Sequence, residues 1–210
     1  MLISDLKIVA IGGSLRNPSF TYQALEHVKS LLTGIGCRVR VLDLRVMPLP
    51  FCNGDNHDPR FDYPAVLELR RSVREANALV LATPEYHGGV SGVLKNALDL
   101  LNAEDLEGKV AGVISVLGGA ANSNALNDLS RILRSCHAWV IPHHIAIGRC
   151  SKAFFDGQLS DPGLRIRFEK FAHDLVRSTV CLSGPDRSAG ETHGPFIKRP
   201  SVDARQPVSV

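Results

Sequence analysis

"ALVLATPEYHGGVSGVLKNALDLL" runs from Ala78 to Leu101. Its first six residues, Ala78–Thr83, are apolar or small at nearly every position, so neither face is reserved for water. That is the pattern of a strand covered on both sides. Pro84 follows and has no N–H with which to continue a ladder, so the strand is expected to end there. Two glycines come next, and from Gly92 to Leu101 the apolar residues recur at helical spacing. A buried strand that leads through Pro-Glu-Tyr-His-Gly-Gly into a helix is one parallel β/α unit.

The same alternation continues in both directions. "LKIVAI" (Leu6–Ile11) reads as the first strand, followed by a glycine loop. A helix from about Pro18 to Leu32 then carries Ala24, Leu25, Val28, Leu31 and Leu32 on one face. "CRVRVLDL" (Cys37–Leu44) alternates as a strand, and "PAVLELRRSVREAN" (Pro64–Asn77) is an amphipathic helix. "KVAGVISV" (Lys109–Val116) is another buried strand, after which Gly118-Gly119 lead into a helix reaching about Cys136. "WVIP" and "HIAIG" form a short last strand region, and Asp161 to about Val180 is the final helix, with Pro162 near its start. Strands separated by helices pair in parallel with helices on both faces. Five such units imply an α/β, flavodoxin-like doubly wound sheet in the order 2-1-3-4-5. Residues 1–183 form this domain; from Gly184 the chain is rich in Pro, Gly and polar residues and reads as a flexible tail, or as an arm ordered by a neighbouring subunit.

Composition narrows the functional classes. The 210 residues are 44% apolar, enough for one core without disulfides or metals, and the net charge is +3 with no basic stripe suited to nucleic acid. Five cysteines (Cys37, Cys52, Cys136, Cys150, Cys181) are odd in number and form no CxxC pair, which indicates reduced thiols. The N-terminus shows no signal-peptide pattern, and no apolar run reaches the ~18 residues of a membrane span, so a cytoplasmic location without membrane partners is expected.

In an open parallel sheet, ligands bind outside the carboxyl ends of the strands where the winding reverses. Three loops share that edge: "GGSLRNPSFT" (Gly12–Thr21), "PEYHGGVSG" (Pro84–Gly92) and "GGAANSN" (Gly118–Asn124), all rich in glycine or small polar residues. The first suits an anion: Gly12 and Gly13 allow a tight turn, Ser14, Ser19 and Thr21 offer hydroxyls, and Arg16 offers a forked charge beside a helix N-terminus. The serines and threonine would also serve as helix caps. There is no G-x-x-x-x-G-K-[ST], and the third glycine of G-x-G-x-x-G is missing. Five residues separate Cys52 from Asp58, which stands where Cys-x5-Arg needs its arginine, and this removes a phosphatase loop. Asp43 is either a mimic of a ribose-binding acid or a solvated strand end; Arg45 and Arg60 are either solvated or placed for a 2′-phosphate. His143-His144 lack a nearby acid in sequence and read as a polar strand end, with no metal site expected.

"GSLRNPSFT" followed by "PEYHGGVSGVLKNALDLL" resembles the NAD(P)H-dependent FMN reductase family, and the similarity spans roughly Leu6 to Val180. The resemblance implies that Ser14, Arg16, Ser19, Phe20 and Thr21 hold the FMN phosphate. It implies that Pro84, Glu85, Tyr86, His87 and Gly88 border the flavin ring and that Gly118 and Gly119 close its other side. Members often carry Asn after the Tyr, where this chain has His87. The implied activity is ping-pong transfer from NADPH or NADH through FMN to a small-molecule acceptor: a flavin, quinone, nitro or azo compound, or metal oxyanion. No side-chain nucleophile is required, and a homodimer or homotetramer is expected. The alternative is a flavodoxin-type electron carrier or redox sensor; a carrier needs an acidic docking face, and a net charge of +3 offers none.

Overall fold

The computed structural model describes residues 2–54 and 63–183. The strands are β1 (Lys7–Gly12), β2 (Arg38–Asp43), β3 (Ala78–Tyr86), β4 (Gly89–Val90), β5 (Val110–Val116), β6 (Trp139–Val140), β7 (Ile145–Ile147), β8 (Phe154–Phe155) and β9 (Gln158–Leu159). The helices are α1 (Phe20–Ile35), α2 (Pro64–Glu75), α3 (Gly92–Asp99), α4 (Ala103–Leu106), α5 (Asn124–Ser135), α6 (Cys150–Ala153) and α7 (Pro162–Ser183). The main path across the sheet is β2-β1-β3-β5-β6, all parallel, with β7 also paired to β5. Counting only the five units read from sequence, this is the order 2-1-3-4-5, and the fold is flavodoxin-like. Arg60 and the tail after Ser183 lie outside the described residues.

Alternation along the central strands divides the core. Ile8, Ala10, Val80, Ala82 and Ile114 pack with α1 and α7. Val9, Ile11, Leu79, Leu81, Ala111 and Val113 pack with α2, α3 and α5. Gly112 sits in the middle of β5 because the ring of Phe171, fully buried on α7, occupies the space a Cβ would need. Any side chain at Gly112 would push α7 off the sheet.

Two expectations are corrected. Pro84 does not end its strand; β3 continues to Tyr86 and turns back antiparallel into β4, with Glu85 opposite Val90 and Tyr86 opposite Gly89. Alternate residues of a strand direct their backbone groups to opposite neighbours. The Ala82 carbonyl accepts from Gly13 N at 2.8 Å, so Pro84 faces the same side, where β1 has already stopped. The missing N–H costs no ladder bond there. The fifth strand is also two short pieces, β6 and β7, separated by Ile141–His144, with Pro142 between them. Among the described residues, no helix is long and apolar enough to cross a membrane.

Candidate active site

The loop after β1 is fixed by its neighbours before it offers anything to a ligand. Gly13 lies so close to α3 that a Cβ would stand 2.5 Å from Ser91 Oγ and 2.6 Å from Leu94 Cβ. Ser91 Oγ donates to the Gly13 carbonyl at 2.7 Å while accepting from Leu94 N as the α3 N-cap. Ser91 N in turn donates to Thr83 Oγ1 at 3.0 Å, which joins the first loop to the end of β3. Tyr22 secures the other flank: its hydroxyl donates to Gly12 O at 3.0 Å and accepts from Leu44 N at 2.9 Å. Burial pushes its phenol well above the ordinary range, so it stays protonated.

Held this way, the loop keeps several backbone donors unengaged. Ser14 is buried, and its Oγ accepts from Arg16 N at 3.3 Å. Ser19 caps α1 by accepting from Tyr22 N at 3.4 Å, and Thr21 is buried beside it. The backbone N–H groups of Leu15, Asn17, Ser19, Phe20 and Thr21 have no acceptor among the described residues. Arg16 is exposed, and its charge reaches as far as Cys150. Phe20 differs from the rest, because its ring stacks on Phe154 with centroids 5.7 Å apart and serves packing.

The second loop is a two-residue hairpin turn. His87 has φ 51° and Gly88 has φ 78°, both left-handed, as a type I′ turn between Tyr86 and Gly89 requires. This accounts for the residue types at the tip. Asn, Asp, His and Gly are the residues that enter that region most readily. Glu85 and Tyr86 are engaged in ladders, leaving the N–H groups of His87 and Gly88 free of acceptors among the described residues. Tyr86 is half exposed above them.

Glu85 does something the sequence did not disclose. Its carboxylate accepts from Asn122 Nδ2 at 2.9 Å and from Ala125 N at 3.2 Å. Ala125 is the second residue of α5, whose own N-cap Ser123 makes no side-chain cap bond. Glu85 therefore caps α5 from another strand and fastens the hairpin to the third loop. That loop runs through Gly118 and Gly119, both open to solvent, and Gly119 O accepts from Arg149 N at 2.6 Å.

The remaining candidates are committed elsewhere. Asp43 is held by Arg45 through Nε at 2.9 Å and Nη2 at 2.6 Å, and the guanidinium also lies 4.0 Å over the Tyr22 ring. The Arg45 guanidinium holds the Asp43 carboxyl below the usual range. The paired side chains line a cleft that Asn17–Ser19 share with β2. His143 Nδ1 lies 3.3 Å from Asp174.

A family profile described as NADPH-dependent FMN reductase matches residues 6–152. The chain belongs to the NADPH-dependent FMN reductase family. It is 30% identical over 173 residues to the NADPH azoreductase of Bacillus sp. (strain OY1-2), covering 82% of this chain and 89% of that one. It is 30% identical over 190 residues to the NADPH-dependent FMN reductase ArsH of Shigella flexneri, covering 88% and 72%. The structure of FerB, a flavoenzyme NAD(P)H:(acceptor) oxidoreductase from Paracoccus denitrificans, superposes with a TM-score of 0.68 at 23% identity, covering 84% and 98%, and speaks to the fold. As a member of the FMN reductase family the protein is an FMN-dependent NAD(P)H oxidoreductase.

Proposed function

We propose that FMN lies along the carboxyl edge of the sheet, with its phosphate in the Ser14–Thr21 loop and its ring between the His87-Gly88 turn and Gly118-Gly119. One observation carries this reading. Five N–H groups of the first loop lack acceptors among the described residues, and the same loop carries the exposed Arg16. A terminal phosphate requires convergent donors and a cation, and the residues present fit that need. Held by the Ser14–Thr21 loop, the His87-Gly88 turn and Gly118-Gly119, FMN would supply the redox chemistry between NAD(P)H and an oxidised small molecule.

The protein's part is placement. His87 N and Gly88 N are aimed by the type I′ turn, and Glu85 fixes that turn against the third loop. These donors suit the stabilisation of negative charge without any side-chain acid. The half-exposed Tyr86 and the open Gly118-Gly119 backbone leave room for a planar donor and then a planar acceptor in the same place. That sharing supports ping-pong order and loose acceptor choice, with flavins, quinones, nitro and azo compounds and metal oxyanions as the class. Exposed Val46 and Phe51, on the segment tied to α3 through the bond of Cys52 N to Asn96, support assembly as a homodimer or homotetramer. Five free cysteines support a reducing, cytoplasmic setting.

The test is the visible spectrum of the purified protein with added FMN, followed by NADPH oxidation with and without an azo dye or quinone. Acceptor-dependent turnover with parallel initial-rate lines is expected. Flavin binding without acceptor-dependent turnover would return the protein to the class of electron carriers.

A further inference from the structure

A cleft of about 510 Å³ opens beside the third loop, sharing Ala120 and Ala121 with it. Its other wall carries Arg149, Lys152 and Arg167. Gly148 makes the junction rigid, because a Cβ there would overlap the backbone of Ala121. Arg149 adopts φ 47° while its N–H holds Gly119 O, so its side chain leaves the loop at a fixed place. Arg167 is steadied by donating from Nη2 to His144 O at 3.1 Å. The one carboxylate lining the cleft, Asp161, uses Oδ1 to accept from Leu164 N at 2.9 Å. Arg149 and Lys152 form no ion pair among the described residues.

Cations elsewhere near the site are paired: Arg45 with Asp43, Lys95 with Asp99, Arg131 with Asp128. The cleft sets three cations against one carboxylate, Asp161, and so carries net positive charge beside the third loop. A molecule lying over Gly118-Gly119 and extending across Ala120-Ala121 enters this cleft. We propose that the cleft takes the 2′-phosphate of NADPH, so that Arg149 and Lys152 set the choice of NADPH over NADH. The inference rests on the reductase reading above. A 2′-phosphate is close to dianionic at neutral pH, and two or three cations in one cleft match it better than the singly charged groups of a pyrophosphate.

The test compares adenosine 2′,5′-bisphosphate with 5′-AMP by titration calorimetry on the FMN-loaded protein, in the wild type and in Lys152→Ala and Arg149→Asn. Asn is chosen at 149 because it tolerates the left-handed backbone. Each variant is expected to weaken the bisphosphate about tenfold while changing 5′-AMP far less. The ratio of kcat/KM for NADPH to that for NADH should fall by a similar factor, and rising salt should erode the wild-type preference. Equal losses for both nucleotides, an unchanged ratio, or loss of FMN from the variants would overturn the assignment. A wild type that binds the bisphosphate no better than 5′-AMP overturns it as well, whatever its turnover. A wild type that discriminates between the two yet oxidises neither nucleotide overturns the reductase reading and leaves the cleft standing.

Discussion

Replacing Glu85 with Ala tests whether the candidate site is braced by a contact between two loops. The carboxylate accepts two hydrogen bonds, at 2.9 Å from Asn122 and at 3.2 Å from Ala125 N at the start of α5. A hydrogen bond to a charged group contributes about 1.5–3 kcal/mol and a negative charge at a helix N-terminus about 0.3–1 kcal/mol. Two such bonds and the helix-end charge together span about 3–7 kcal/mol, and because Glu85 is only partly buried, solvent screening leaves about 2 kcal/mol of it. For a chain of this size that lowers Tm by roughly 4–8 °C. Glu85→Gln keeps one acceptor oxygen and should lose less than half as much. Asn122→Ala removes one of the two bonds, and in a double-mutant cycle with Glu85→Ala the losses should fall short of additivity by about 0.5–1.5 kcal/mol. FMN affinity should drop together with stability, because the hairpin and the Gly118–Asn124 loop would no longer be held in register. A Glu85→Ala protein with unchanged Tm and unchanged FMN titration would refute the brace.

Arg16→Ala should weaken FMN about ten- to a hundredfold and leave riboflavin affinity unchanged; equal competition by riboflavin in the wild type would remove the phosphate from this loop. His87→Asn should be nearly neutral, whereas His87→Ala strains a left-handed position by about 1 kcal/mol and should slow flavin reduction less than tenfold in stopped flow. A thousandfold slowing in FMN-loaded His87→Asn would instead show that the imidazole takes part. Gly88→Val should lose FMN, because φ 78° excludes a branched side chain; the nearest atom to a Cβ there, Asn124 Nδ2, is 3.8 Å away, so backbone strain is the cause. Asp43, lowered by Arg45, contributes stability above the ordinary carboxylate pKa of about 4, and that contribution is lost as pH falls through the lowered folded value. Asp43→Asn should therefore flatten the acid limb of stability measured by urea unfolding between pH 7 and pH 2.

What was legible in the sequence follows from which interactions leave local traces. Strands buried on both faces must be apolar throughout, so β1, β3 and β5 were readable, and with them the order of the sheet. The loops were readable because tight turns and anion-binding backbone need glycine and small polar residues. Pro84 misled because its cost depends on whether a neighbouring strand is present, and β1 ends too early to need its N–H. The hairpin after it was obscured because His-Gly stands where Asn-Gly would have announced a type I′ turn. The clasp of Glu85 on α5 spans 40 residues and leaves no spacing to detect. The same holds for Tyr22, which joins the ends of β1 and β2 through one hydroxyl. The contrast has a physical origin. Donors supplied by the backbone restrict residue type at the site itself, through φ and through the absence of a side chain. Side chains that aim those donors restrict only their distant partners. A site built from main-chain N–H groups is therefore readable in its chemistry before it is readable in its supports. Substitutions at Glu85 and Tyr22 are where single changes would alter function without touching any motif.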